Sequence, residues 1–325
     1  MLKLEKPVWF HSEYERTMLD GLVGRIKNGR QHNKHPRTLS SKAKEILLPG
    51  WNTDSADTSI LKKLLISEPK ALKKLNDKLM KALSELPYLA RPDKELLLDI
   101  FNYEGIFNDS GKKRAFWLAK NIGRNTCVYC NRQYIFTVEK GNGRSPSERI
   151  ARPVFDHWFP RHKYPLLSIS LYNLIPSCPV CNSSAKGSAV FDLNDFIHPY
   201  VHEKGKPNIT FAAIPADGEM LQWTVNIQCP KDSKEENTVQ AFFLREMYAM
   251  HGALEVSDIM SFKSAYPDGY LSDLFDKLLK DCVRPMTKQD VYRMLFGTEP
   301  EPDKFLDRPF SKLKHDLLKD WFDPL

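Results

Sequence analysis

Four cysteines in two closely spaced pairs are the residues of this chain best suited to metal chemistry. The pairs read CVYC at 127–130 and CPVC at 178–181, with 47 residues between them. Two thiolates three positions apart on a tight turn bind one face of a tetrahedral zinc ion, and a second pair completes the tetrahedron. A thioredoxin-like redox motif needs only one such pair. The spacing therefore predicts a closed, structural zinc site with Cys127, Cys130, Cys178 and Cys181 as ligands.

A histidine with an acidic neighbour lies between the two cysteine pairs. Asp156 and His157 stand at the centre of the segment VFDHWFP, and Asn182 directly follows the second pair. Hydrolysis of a phosphodiester needs a base for water and a cation near the developing charge. A histidine with its ordinary pKa near 6.5 is largely neutral at physiological pH and can accept a proton. Carboxylate and carboxamide oxygens are ligands that suit a hard cation such as Mg²⁺.

The order of these residues resembles that of the HNH endonucleases, which are also called ββα-metal or His-Me finger nucleases. The shared order is Asp-His, a proline three residues later, Asn-Leu, and then CxxC-Asn followed by a lysine. A zinc-binding CxxC pair often flanks this motif in the family. The resemblance covers residues 127–187, and it implies a nuclease core.

The resemblance also implies a role for each matching residue. His157 is the expected general base that activates water, while Asp156 and Asn182 are expected to hold one divalent metal against the scissile phosphate. Asn173 is expected to brace the loop and orient His157 through backbone hydrogen bonds. Many members have a final histidine at the position of Asn182, so Mg²⁺ or Mn²⁺ is expected rather than a softer metal. Lys186 is expected either to contact a substrate phosphate or to be an ordinary lysine on a helix surface.

Positive charge is concentrated in the first part of the chain. The net charge of +7 divides into +9 for residues 1–126, +3 for residues 127–200 and −5 for residues 201–325. A basic front and an acidic back indicate different partners at the two ends. The basic front suits a polyanion such as DNA or RNA.

The densest basic stretch is residues 21–44, which carry seven lysines and arginines and no acid. A cluster of this kind is typical of phosphate contacts, so Arg30, Lys34 and Arg37 are predicted to bind nucleic acid. The same pattern also fits a solvated surface. A third interpretation is docking on an acidic partner protein or on the acidic residues 201–325.

The spacing of apolar residues predicts an α+β fold. Leucines at helical spacing predict a helix over 59–85 that Pro69 breaks into two. The other expected elements are helices over 94–101 and 112–121, a strand over 133–138, a hairpin over 207–228, and a helix after Glu235 that buries Val239, Phe242, Phe243, Met247 and Met250.

The expected architecture is a small ββα-metal and zinc-knuckle core flanked by mainly helical N- and C-terminal regions. Residues 1–120 form the basic helical region that contacts nucleic acid or a partner, residues 121–205 the core, and residues 206–325 an acidic, mainly helical region. The chain contains no apolar run of membrane-spanning length and its first residues lack the apolar core of a signal peptide. These features predict a cytoplasmic protein with no membrane partner.

The function implied by the resemblance is metal-dependent hydrolysis of DNA. Residues 164–178 and 197–200 also resemble a bacterial HNH subgroup of anti-phage defence operons, including Septu-type nuclease subunits that pair with an ATPase. This implies a defence effector with an ATPase partner. One alternative is an RNase that uses the same centre on tRNA-type substrates, since such a site engages the backbone more than the bases. Another is a zinc-stabilised nucleic-acid-binding module without catalysis, which would not need Asp156, His157, Asn173 and Asn182 together.

Overall fold

Helices and small antiparallel sheets alternate along the chain, which confirms the α+β expectation. The computed structural model describes residues 2–32, 35–107, 114–140, 148–187, 189–201, 208–216, 222–266, 269–279 and 286–321. Each sheet of the described residues has two strands. The chain therefore relies on side-chain packing between elements rather than on one large sheet.

The first part of the chain is helical because its leucines recur at helical spacing. Pro69 occupies the first position of the fourth helix, where its missing N–H is not needed, so the chain breaks before it as the sequence predicts. The elements of this part are α1 (His11–Asn28), the hairpin of β1 (Arg30–His32) and β2 (His35–Arg37), α2 (Ser41–Leu47), α3 (Ser59–Ile66), α4 (Pro69–Ser84), α5 (Lys94–Ile100), α6 (Tyr103–Phe107) and α7 (Arg114–Ile122).

The middle part contains two short hairpins and a helical turn. β3 (Val138–Lys140) pairs with β4 (Glu148–Ala151), and β5 (Val154–His157) pairs with β6 (Leu174–Ser177). A helical turn, Val180–Ala185, follows β6. The order of β5, β6 and this turn is strand, strand, helix.

The strand predicted over 133–138 is wrong in its extent. Tyr134 forms a single bridge with Thr126, and regular pairing begins only at Val138. The rings of Tyr134 and Phe136 stack with centroids 4.4 Å apart, and both side chains are about half exposed. Tyr134 and Phe136 thus stack on each other instead of packing on the buried face of a sheet. These aromatic residues therefore do not mark a strand.

The hairpin predicted over 207–228 is present as β7 (Thr210–Pro215) and β8 (Trp223–Gln228). The helix predicted after Glu235 is interrupted, because Phe243 has left-handed backbone geometry with φ of 49°. This break resets the helical phase, so Phe243 and Met250 are exposed while Leu244 and Tyr248 are buried. The helices of this part are α8 (Lys234–Ala241), α9 (Leu244–Ala249), α10 (Ser257–Ala265), α11 (Tyr270–Leu274), α12 (Lys288–Phe296) and α13 (Ser311–Leu318).

One cluster of buried side chains extends through all three predicted segments. It includes Leu4 and Leu118 from the first segment, Trp158 from the second and Leu313 from the third. A smaller cluster around Tyr292 lies within the third segment. The two flanking regions therefore share the core of the middle region, which fixes their helices against the cysteine pairs. Across the described residues, none of the helices combines the length and apolarity that crossing a bilayer requires.

Candidate functional site

The two cysteine pairs come together as one buried cluster. The Sγ atoms of Cys127, Cys130, Cys178 and Cys181 all lie within 4.8 Å of one another, and Cys130 and Cys178 are 4.0 Å apart. Zinc–sulfur bonds of about 2.3 Å place the sulfurs of a tetrahedral site about 3.8 Å apart. Burial raises the pKa of the Cys127 thiol, and a bound cation would favour its thiolate form. The cluster is therefore a site that can hold a metal ion such as zinc.

Each cysteine pair lies on a tight turn closed by backbone hydrogen bonds. In the first turn the Asn131 N–H donates to the Cys127 carbonyl over 2.8 Å, and Asn131 has left-handed geometry with φ of 50°. In the second turn the Cys181 N–H donates to the Cys178 sulfur over 3.4 Å. These turns aim both sulfurs of a pair at one point, which is what a shared ion requires.

Asn131 also attaches the C-terminal region to the cluster. Its Nδ2 donates to the carbonyls of Phe305 and Arg308, and its own carbonyl accepts the Phe310 N–H over 2.7 Å. The Tyr248 hydroxyl donates to the Cys130 carbonyl. Hydrogen bonds of the first turn thus connect the cysteine cluster to the C-terminal region.

The strand, strand, helix unit positions the residues that the sequence analysis singled out. Asp156 and His157 are the last two residues of β5, and in β6 they face Ile175 and Leu174 respectively. Asn182 lies in the helical turn that begins just after β6. The resulting order of strands and helix is the one that the resemblance implies.

His157 is held as a neutral ring with a defined tautomer. Its Nε2 lies 2.9 Å from the Ser168 carbonyl. A carbonyl oxygen only accepts, so Nε2 carries the proton and Nδ1 keeps a lone pair. Burial lowers the pKa of His157 to about 3, with further lowering by the positive charges of Arg161 and Lys186. The ring of Tyr103 contacts the His157 ring edge-on, with the two ring centroids 4.8 Å apart.

Asn173 binds the backbone of the loop that follows β5. Its Oδ1 accepts the Phe159 N–H over 2.6 Å, and its Nδ2 donates to the carbonyls of Phe159 and Leu167 over 3.1 Å and 2.8 Å. The Trp158 N–H donates to the Asn173 carbonyl. Asn173 therefore ties together the two ends of the loop that carries the Ser168 carbonyl, the partner of His157.

The Asp156 carboxylate is buried and has two donors on one oxygen. Its Oδ2 accepts from the Tyr129 hydroxyl over 2.6 Å and from Lys186 Nζ over 2.7 Å. Burial and the nearby Asp156 charge raise the pKa of Tyr129 well above its ordinary value, so the phenol keeps its proton. Because Tyr129 lies between Cys127 and Cys130 in the sequence, its hydrogen bond links Asp156 to the cysteine cluster.

Lys186 differs from both sequence expectations. Its side chain is 2% exposed, which rules out an ordinary surface lysine. The ammonium donates to Asp156 and also to the carbonyls of His157 and Trp158, at 2.6 Å and 3.3 Å. All three donors are therefore used within the site, and none remains for a substrate phosphate.

Asp156, His157, Asn182 and Lys186 line one cleft of about 730 Å³. The opposite wall comes from α5, α6 and the turn between them, including Tyr103. Asn173 lies beneath this surface and is fully buried. The structure therefore gathers three of the four expected catalytic residues at one cleft and places the fourth under its loop.

The basic stretch 21–44 is bound largely to this chain itself. Arg37 forms ion pairs with Asp93 and Asp99 at 3.0 Å and 3.2 Å. Arg25 donates to three backbone carbonyls of residues 100–105, and burial lowers its pKa to about 10.

Of the other two predicted nucleic-acid residues of that stretch, Arg30 lies within the described residues and is half-buried. Arg30 packs its guanidinium against Gly105, where an added Cβ would lie 2.7 Å from Nη1. Lys34 lies outside the described residues. The acids that pair with Arg37 lie on and just before α5, not in residues 201–325 as one interpretation proposed. Arg37 is thus a structural residue because its acidic partners, distant in sequence, lie beside it in the fold.

Sequence reasoning did not identify three residues of the cleft and its support. Tyr129 had a signal, since it stands inside the first cysteine pair, but its bond to Asp156 depends on the fold. Tyr103 and Arg161 also line the cleft, and Arg161 pairs with Glu104 at 3.3 Å. No local pattern marks Tyr103, because it reaches the site from another part of the chain. Of the two remaining cysteines of the chain, Cys229 is half-buried and Cys282 lies outside the described residues.

Comparison with known proteins adds one distant similarity. No protein-family model and no solved structure matches the chain. Protein ea31 of Escherichia phage lambda is 24% identical to it over 124 residues, which cover 34% of this chain. The chain spans about 40% of the length of that relative. At this identity and coverage the match does not assign the chain to a family.

Proposed function

We propose that this chain is a metal-dependent nuclease that hydrolyses phosphodiester bonds of DNA in the cleft around His157. The observation that carries the proposal is the neutral His157 ring beside Asp156 and Asn182 on one cleft wall. A binding module without catalysis has no need for a half-buried histidine in a cleft whose tautomer is set by a backbone carbonyl. A role in anti-phage defence with an ATPase partner stays a prediction of the sequence resemblance.

Zinc is the proposed ion of the four-cysteine cluster. An all-sulfur, tetrahedral donor set suits zinc, which has four protein ligands in structural sites and no open position. In this proposal zinc has no part in the chemistry. It holds the first turn, and with it Tyr129, against Asp156.

A second, divalent metal is proposed at the cleft, and the donors there fit a hard ion. Both described hydrogen bonds of Asp156 use Oδ2, so Oδ1 is the oxygen proposed to bind a metal. Asn182 is half-buried and lines the same cleft, and its Oδ1 is the second proposed ligand. Mg²⁺ or Mn²⁺ held in this way would stabilise charge on the phosphate and the leaving oxygen. Water and phosphate oxygens would supply the remaining ligands.

His157 is the proposed base that takes a proton from the attacking water at Nδ1. The bond from Nε2 to the Ser168 carbonyl keeps the ring oriented as the proton arrives and stabilises the resulting imidazolium. The positive charges of Arg161 and Lys186 lower the pKa of His157 in the free protein. A bound phosphate carries the opposite charge, so substrate binding raises that pKa toward the neutral range where a base works best.

The proposal is tested by incubating purified protein with supercoiled plasmid, single-stranded DNA and total RNA, each with Mg²⁺, with Mn²⁺ or without added divalent metal. We expect metal-dependent cleavage of DNA, and a loss of about 10²–10⁴-fold in rate for His157→Ala. His251→Ala is the matched control, because His251 binds Arg132 and is not among the residues that line the cleft. Cleavage of RNA alone would make the enzyme an RNase. Absence of cleavage, or equal rates for wild type and His157→Ala, would overturn the proposed function.

A further inference from the structure

The helix α4 presents a lysine surface on the side opposite to its buried residues. Five of its sixteen residues are lysines. At 100° per residue, Lys70, Lys73, Lys74, Lys78 and Lys81 fall within an arc of about 140°. The buried residues Leu72, Asn76, Leu79 and Leu83 lie on the other side. The helix is therefore anchored by its apolar face and carries a row of positive charge on its outer face.

A shallow cavity of about 520 Å³ lies beside this lysine surface. Its lining includes Lys70, Lys73 and Lys74 of α4 and Lys234 at the start of α8, together with Asp77 and Asp192. Four lysines and two aspartates leave the lining with a net charge of +2. Both aspartates form ion pairs with Lys73. Its Nζ lies 2.6 Å from Asp77 Oδ2 and 3.9 Å from Asp192 Oδ2.

Two lysines of α4, Lys74 and Lys78, differ from Lys73 in this respect. Lys74 and Lys78 are exposed, and neither forms an ion pair with any residue that the structure describes. Their charges therefore act on the solvent side of the helix. A polyanion is the class of partner that such a row attracts, because each bound phosphate releases a counterion.

The lysine surface is connected to the cleft through Tyr164. The Lys73 ammonium lies 5.6 Å from the centroid of the buried Tyr164 ring, and the Lys163 ammonium lies 5.4 Å from the same ring. Arg161, two residues before Lys163, lines the cleft itself. α4 also contacts the short helical turn Pro165–Leu167 of the same loop. Lys163 and Lys73 therefore both lie at Tyr164, between Arg161 of the cleft wall and the rest of α4.

We propose that the lysine surface of α4 binds the phosphate backbone of the nucleic acid on one side of the cleavage site. The proposal rests on the proposed function, since it assumes that the scissile phosphate lies in the cleft. The backbone would leave the cleft past Arg161 and Lys163 and continue over Lys74 and Lys78. The residues predicted for this task, 21–44, include Arg25 and Arg37, which are instead bound to the chain's own carbonyls and acids.

The test uses the double variant Lys74→Glu/Lys78→Glu in the full-length chain. Its matched control is Lys3→Glu/Lys319→Glu, which makes the same charge change at exposed lysines that are not part of α4. Binding of a labelled 30-base-pair duplex is measured at several salt concentrations with Mg²⁺ present, in a His157→Ala background that prevents cleavage. We expect the dissociation constant to rise at least tenfold for the α4 variant only. The salt slope should fall by roughly 0.9 for each phosphate that the variant no longer binds.

A short duplex separates this inference from the proposed function. Cleavage of an eight-base-pair duplex by the α4 variant without the His157 change should match wild type, because that duplex occupies the cleft alone. An unchanged affinity and salt slope for the long duplex would overturn the inference and leave the nuclease proposal standing. Binding that depends on α4 in a protein without cleavage would support the surface and overturn the nuclease. Competition by poly-glutamate as strong as that by unlabelled duplex would overturn the assignment to phosphate.

Discussion

The Lys186 ammonium lies 2.7 Å from the Asp156 carboxylate, and both side chains are almost fully buried. A positive charge is thus part of the cleft before any metal or substrate binds. The same ammonium donates to the His157 carbonyl, so the ion pair holds the end of β5 in place. Lys186 is on this basis a positioning residue for Asp156 and His157.

The Asp156–Lys186 pair should be strongly coupled in stability. Lys186→Met leaves a buried carboxylate without its partner, and such a loss costs about 3–5 kcal/mol. The double variant Lys186→Met/Asp156→Leu removes both charges, and we expect it to recover most of that loss. Urea unfolding of the four proteins of the cycle measures the coupling. The exposed pair Lys81–Glu85 is the control, and its cycle should give less than about 0.5 kcal/mol. Additive effects at Asp156 and Lys186 would contradict the buried ion pair.

The metal content should depend on the cysteine cluster and not on Cys229. We expect about one tightly bound zinc per chain, and Cys127→Ser or Cys181→Ser should lose both the zinc and much of the folding free energy. Cys229→Ser is the control, because Cys229 lies outside the cluster and contacts Arg245. Elemental analysis and thermal unfolding check both effects. A folded wild-type protein without zinc would refute the assignment.

Asn173 should contribute to stability through the loop that it ties together. Asn173→Ala leaves two carbonyls and one N–H of that loop without partners, and we expect a loss of about 3 kcal/mol. Asn173→Asp keeps the acceptor but loses both donors and buries a charge, so it should destabilise at least as much. Asn194→Ala at an exposed turn should change little. Urea midpoints that are equal for the three variants would show that these hydrogen bonds do not hold the loop.

His198 should make the protein less stable in acid. Burial lowers the pKa of His198 well below its ordinary value, with a further contribution from the charge of Lys186. Its Nδ1 accepts the Tyr200 N–H over 3.2 Å and its ring packs on Trp158, so the neutral form is the folded one. Below a pH of about 6.5 the unfolded chain takes up a proton there that the folded chain does not.

The free energy of unfolding should therefore fall as pH decreases from 7 toward 5, by up to about 1.4 kcal/mol per pH unit for this one group. His198→Asn keeps an acceptor near Nδ1 and cannot titrate, so its stability should depend less steeply on pH. His162→Asn, which removes a histidine at an exposed position, is the matched control substitution. Urea titrations at several pH values give the slopes. A wild-type slope in His198→Asn would contradict a neutral buried His198.

Local sequence patterns predicted much of the fold because they depend on neighbours along the chain. Pro69 separates the two leucine-rich helices α3 and α4 however they pack against the rest of the protein. It lacks an N–H, and it disfavours helical geometry in the residue before it. The two hairpin strands before and after residues 216–222 were recognisable for the same reason. Of the residues expected at helical spacing after Glu235, Val239 and Phe242 are buried but Phe243 and Met250 are exposed, because the left-handed Phe243 is a local exception that no periodicity indicates.

The candidate site was also predictable only in part from the sequence. The four cysteines were predictable as one cluster, because two CxxC turns can satisfy a tetrahedral ion only together. The link from that cluster to Asp156 was not, since Tyr129 reaches the carboxylate only after β5 is packed beside the first turn. The ion pairs of Arg37 were not predictable either, because its three acidic partners lie at least 56 residues away in the sequence.

Ligand spacing and helix phase are short-range properties, so the order of residues along the chain was enough to predict where a metal, a base and a turn can form. Which charges face each other depends on the packing of distant segments. It buried Lys186 against Asp156, bound Arg37 to Asp93 and Asp99, and left the lysines of α4 facing solvent. A charge taken out of water needs a partner at short distance. That partner is chosen by the packing of the whole chain, and the positive charges that remain exposed are the ones available to a polyanion.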